Sequence, residues 1–165
     1  MVPPINQRRE LETLSDREKW ILRLLYAPVK NDADKSIEGR TRLVKGLFLI
    51  ERMFDDEFTE FEGTGFSFRA YKYGPFDQSI YTSLERLEND GLVKEETMPE
   101  YKGDVIRLTD AGEVLAREAY EELSSEMQTQ VSWIKERHVQ QPVAQLLNFV
   151  YNKYPETAKN SEYSA

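Results

Sequence analysis

Between residues 77 and 108 the hydrophobic spacing changes from helical to strand-like, and this most narrows what the chain can fold into. Ile80, Leu84 and Leu87 recur at helical spacing in DQSIYTSLERLEN, so one face of that helix must be buried. Asp77 is a suitable N-cap, and Gly91 suits the position just past the helix end. LVKEETMP and DVIRLT then read as two strands joined by EYKGD, a β-hairpin directly after a helix.

The flanking segments are largely helical. SDREKWILRLLYAP opens on Ser15 with Glu18 three residues on, a capping-box pattern, and carries Trp20, Ile21, Leu24 and Leu25 as its stripe. KNDADKSIEG reads as a polar connection. GRTRLVKGLFLIERMF places Leu43, Leu47, Ile50 and Phe54 at helical spacing. FSFRAYKY alternates as a strand ended by Gly74-Pro75. Beyond the hairpin, LTDAGEVLAREAYEEL, EMQTQVSWIKERHV and QPVAQLLNFVYNKYP predict three further helices, the first capped by Thr109 or Asp110.

The expected fold is therefore mainly α with a small β-hairpin: a winged-helix core with extra C-terminal helices. Its expected division is an N-terminal arm over 1–14, a winged-helix-like domain over 15–123, C-terminal helices over 124–155 and a polar tail over 156–165. The C-terminal helices carry Leu146, Leu147, Val150 and Tyr151, which either complete the core of one copy or form a homodimer contact.

Composition removes several functions. The chain has 165 residues and no cysteine, so disulfides, thiolate metal sites and cysteine nucleophiles are excluded. The single histidine, His138, cannot build a multi-histidine metal site and reads as a solvated or capping residue at a helix end. No apolar run approaches the roughly 20 residues of a membrane helix, and MVPPINQRRELETLSDREKW lacks a signal-peptide core. A cytoplasmic protein without a membrane partner is the expectation. The acidic stretches DDEFTEFE and EEL–SSEM read as solvated surface rather than paired catalytic carboxylates. No phosphate loop, nucleophile elbow or HExxH motif occurs. A non-enzymatic protein without a cofactor is expected.

The formal net charge is -8, which opposes non-specific nucleic-acid binding. The charge is uneven: residues 1–54 hold 11 basic against 8 acidic side chains, and the remainder 11 against 22.

SIYTSLERLENDGLV, a hairpin, then IRLTDAGEVLARE resembles the recognition-helix-and-wing block of PadR-like and MarR-like winged-helix regulators. Tyr81, Leu84, Leu87, Gly91, Leu92 and Val93 carry the first part, and Leu108, Thr109 and Gly112 the second. A second resemblance covers more of the chain. RTRLVKGLFLIE, with Leu43, Lys45, Leu47 and Phe48, precedes Tyr71, Tyr73, Gly74 and Pro75. Together they look like the YwgA-like family and, more distantly, the SocA-like antitoxin or Panacea domain. This likeness implies a winged scaffold and, through the Panacea domain, toxin neutralisation. A tight helix-turn-helix allows 3–4 residues between its helices, whereas about 22 lie between Phe54 and Asp77 here.

Two functions follow as expectations. The first is a DNA-binding transcriptional regulator acting as a homodimer on double-stranded DNA. Gln78, Thr82, Ser83 and Arg86 would face base edges, and Arg40, Arg42, Lys45, Lys94 and Lys102 would supply positive charge. The alternative is an antitoxin- or adaptor-type module that binds a basic protein such as a toxin, with Tyr73 partly exposed for contact. A contiguous basic face joining Arg40, Arg42 and Lys45 to Arg86 would favour DNA, and a negative face protein.

Overall fold

The computed structural model describes residues 10–30, 35–98 and 103–160. Leu11–Thr13 form a single 3₁₀ turn, and Leu14 is buried, so the described end of the expected arm is tied to the core. Helix α1 (Asp16–Tyr26) opens on the expected capping box: Ser15 Oγ accepts the Glu18 amide at 3.1 Å, and Glu18 accepts the Ser15 amide at 2.9 Å. Trp20, Ile21, Leu24 and Leu25 are all buried, each contributing on the order of 1.5–3 kcal/mol of transfer free energy.

The polar connection contains a strand that sequence reading did not expect, β1 (Ser36–Glu38). Its only apolar side chain, Ile37, is buried. Helix α2 (Arg40–Glu57) follows, then a hairpin of β2 (Arg69–Tyr71) and β3 (Gly74–Phe76), helix α3 (Gln78–Asn89), strands β4 (Val93–Thr97) and β5 (Asp104–Leu108), and helix α4 (Asp110–Glu121). The expected single strand FSFRAYKY is thus only the first arm of a short hairpin that turns at Lys72 and Tyr73.

β1, β5 and β4 form one antiparallel sheet in that order, with Ile37 opposite Ile106 and Glu95 on its other side. The order helix–strand–helix–helix–strand–strand, with the first strand on the inner strand of the hairpin, is the winged-helix arrangement. β2–β3 is inserted between α2 and α3, where a helix-turn-helix protein has a tight turn.

The core is rich in rings. Trp20 meets Phe54 and Phe61 edge-on at 5.7 and 5.8 Å, and Phe48 meets Phe68 and Tyr154 at 5.3 and 5.2 Å. Thr109 caps α4 by accepting the Gly112 amide at 3.0 Å, while its hydroxyl donates to the Gly91 carbonyl at 2.7 Å. The T-x-x-G pattern is therefore a junction that binds the helix to the end of α3.

Helix α5 (Ser125–Ile134) runs into a widened π-turn over Lys135–Val139, followed by α6 (Val143–Lys153) and a 3₁₀ turn over Pro155–Ala158. Leu146, Leu147 and Val150 are buried within the single chain and are not available as a dimer contact. Tyr151 is half-buried beside Gly74. His138, expected to be solvated or to cap a helix end, is instead buried: its ring stacks on Phe149 at 3.9 Å and meets Trp133 edge-on at 5.3 Å. Burial holds this imidazole below its ordinary pKa, with Arg137 and Lys153 adding to the effect. Of the expected tail, Thr157 is buried and Asn160 donates to the Ala70 carbonyl at 3.3 Å.

Candidate interaction surface around helix α3

Asp77 starts α3. Its Oδ1 accepts the Ser79 amide and hydroxyl, each at 2.8 Å, and its Oδ2 accepts the Ser67 amide at 2.6 Å. Burial pushes this carboxyl up, but the three donors and nearby Arg17 outweigh it and hold it below the usual carboxylate range. Ile80, Leu84 and Leu87 face the core, leaving Gln78, Thr82, Glu85, Arg86 and Asn89 exposed. Ser83 is a correction: at 8% exposure its side chain lies on the buried side of the helix.

The cations expected beside this helix do not form one basic face. Arg40 Nη2 contacts Glu95 at 2.6 Å and Glu88 at 3.7 Å, and its guanidinium lies 4.6 Å over the Tyr81 ring. Arg42 donates to the Gln141 and Glu38 carbonyls at 3.1 and 2.9 Å, away from α3. Lys45 is only 3% exposed, and burial pushes its amine down to about 8. Lys94 pairs with Glu96 at 2.9 Å. Lys102 lies outside the described residues. Arg86 is exposed and has no ion pair among the described residues. These pairings also explain the basic start of α2, which opposes the helix dipole: Arg40 and Arg42 answer acids and carbonyls from other elements.

Glu88 and Glu95 both lie against the Arg40 guanidinium. Burial first, then the neighbouring Glu95, raises the Glu88 carboxyl to about 7, against the pull of Arg40. The Arg40 hydrogen bond holds Glu95 below its ordinary value. Between the ordinary 4.5 and about 7, the folded chain keeps a proton on Glu88 that the unfolded chain releases. Stability from this group is full below that window and lost as pH rises through it. Glu88→Gln is therefore expected to gain on the wild type as pH rises from about 5 to about 8, measured as paired urea midpoints. A pH-independent difference between the two would show that the proton is not held.

At the other end of α3, the sequence pointed to Tyr73 as a partly exposed contact but not to the residues that gather around it. Among the described residues, Tyr71 and Tyr73 are the most exposed large apolar side chains, at 53% and 52%. Tyr71 stacks on Phe76 at 5.6 Å, and Phe76 meets Tyr81 edge-on at 5.2 Å. A cleft of about 550 Å³ lies beside them, lined by Arg17, Arg69, Tyr71, Phe76 and Gln78. Tyr73 was expected at the surface; Arg17 and Arg69 belong to separate segments, and no spacing joins them.

Among the described residues, no cluster of three or more histidine, aspartate or glutamate side chains is placed to hold a metal. Among the same residues, no helix is long and apolar enough to cross a membrane. No family model matches the chain, and no curated protein shows a significant match to it.

Proposed function

We propose that this chain is a non-enzymatic protein-interaction module on a winged-helix scaffold, of the antitoxin or adaptor type, working in the cytoplasm. The observation that carries this reading is the fate of the cations. Salt-dependent affinity for DNA comes from lysines and arginines free to displace counterions from phosphates. Here Arg40 and Lys94 are spent on carboxylates, Arg42 on carbonyls, and Lys45 is buried. Glu85, Asp90 and Asp104 remain exposed nearby and favour a basic protein partner such as a toxin. With the C-terminal leucines in the core, this reading does not draw on them for a dimer contact.

A second reading keeps α3 as a DNA-reading helix of a homodimeric regulator. It is favoured by one feature, the exposed row Gln78, Thr82 and Arg86, whose side chains suit base edges. A mobility-shift titration against genomic fragments across a salt series separates the two. The module reading expects no preferred fragment at any salt. Saturable retention of one fragment, weakening with salt and lost in Arg86→Ala, would overturn it in favour of the regulator.

A further inference from the structure

The sign of the surface reverses along α3. Around its C-terminal half Arg40 and Lys94 are matched by carboxylates and only Arg86 is left without an ion pair among the described residues, whereas at its N-terminal end Arg69 and Lys72 are both exposed and have none there. Both sit on the β2–β3 hairpin, alternating with Tyr71 and Tyr73.

The cleft below the hairpin is held in shape from several sides. Arg17 donates to the Gly65 carbonyl at 2.7 Å and lies 5.8 Å over the Phe66 ring, which leaves its terminal nitrogens for other contacts. Tyr71 is braced by Phe76, and Phe76 by Tyr81. The hairpin turns through Gly74 at φ +89°, where a Cβ would stand 3.1 Å from the Tyr151 ring, and β2 is tied to the C-terminal segment by Asn160. Rings fixed in this way lose little freedom on binding. The one acid in the cleft, Asp77, has its oxygens occupied by Ser67 and Ser79.

We propose that this cleft docks an acidic segment of a partner protein, with a carboxylate received by Arg17 and Arg69 and an adjacent apolar side chain laid on Tyr71 and Phe76. Guanidinium groups grip carboxylates through paired hydrogen bonds, and exposed tyrosines are the side chains that concentrate binding energy at interfaces. The inference rests on the interaction-module reading and adds a register to it. A partner that is basic along the acidic half of α3 must offer an acid at the hairpin, and a uniformly basic surface is repelled there.

The probe is a short blocked peptide alternating Glu with Leu and Phe, titrated into the ¹⁵N-labelled full chain. The control replaces each Glu with Lys. The acidic peptide is expected to shift the amides of residues 65–79 saturably, and the basic peptide to leave them unmoved. Arg69→Glu and Tyr71→Ala, both at exposed positions, are each expected to weaken binding about tenfold or more without moving the thermal midpoint. The cleft is excluded as an acid-binding site if the acidic peptide produces no shift at millimolar concentration, if the basic peptide acts equally, or if Arg69→Glu binds as well as the wild type. A DNA duplex titrated into the same sample tests the parent reading separately. Saturable shifts at Thr82 and Arg86 would overturn the module reading and leave the peptide result standing.

Discussion

Gly112→Ala is expected to lower the unfolding free energy by about 3 kcal/mol or more. A Cβ at this position would stand 1.8 Å from the Leu92 carbonyl oxygen and 2.7 Å from its carbonyl carbon. Those atoms are backbone, so no rotamer change relieves the overlap. The same oxygen accepts the Thr109 amide at 3.0 Å, and moving it away breaks the bond that starts α4. Relief therefore requires sliding α4 along the base of the wing, which opens the contact between α4 and α1. Urea denaturation followed by circular dichroism measures the loss. A cost under about 1 kcal/mol would show that the junction relaxes freely.

Lys135→Ala is expected to cost about 3–5 kcal/mol, and Lys135→Met distinctly less. Lys135 is fully buried, and its ammonium donates to the Leu25 and Ala27 carbonyls at 2.8 and 3.0 Å. These belong to the end of α1, where unpaired carbonyls and the helix dipole both favour a cation. Alanine removes the donor and leaves a void; methionine fills most of the volume but still strands two carbonyls. The order wild type, Met, Ala in denaturant midpoints tests this account. Equal losses for the two variants would assign the whole effect to the missing hydrogen bonds and none to the void.

Those two sites differ in how well the sequence announced them. Thr109 and Gly112 stood out as part of a wing pattern, and their spacing is a helix cap plus a close approach, both local. Lys135 did not stand out, because its partners lie more than a hundred residues away and nothing in SWIKERHVQQP marks a buried amine. The same division holds elsewhere. The Ser15 capping box, the Asp77 cap and the stripe of α3 were legible because each is decided within a few residues. Strand β1 was not: a three-residue strand with one apolar side chain has no period, and only pairing with β5 defines it. His138 was misread for a related reason. Its burial comes from Phe149, on the next helix, and from the π-turn that carries the ring inward. At the candidate surface, the residue types on α3 were readable, but the pairing of Arg40 with Glu95 was not, being a contact between α2 and the wing. That pairing is among the contacts on which the proposed interaction-module reading rests.

The aromatic core has a practical consequence in spectroscopy. The chain has two tryptophans, and they report on different places. Trp20 is enclosed between Phe54 and Phe61, with the Arg23 guanidinium 4.6 Å from its ring, so its emission will lie toward the blue. Trp133, on α5 beside His138, is 45% exposed, and its emission will lie toward the red. Replacing Trp133 with phenylalanine leaves a chain whose fluorescence follows the winged core alone. Replacing Trp20 leaves one that follows the C-terminal helices. A single protein thus carries two optical channels, and overlaying their unfolding curves shows whether the two ends of the molecule come apart together or in sequence.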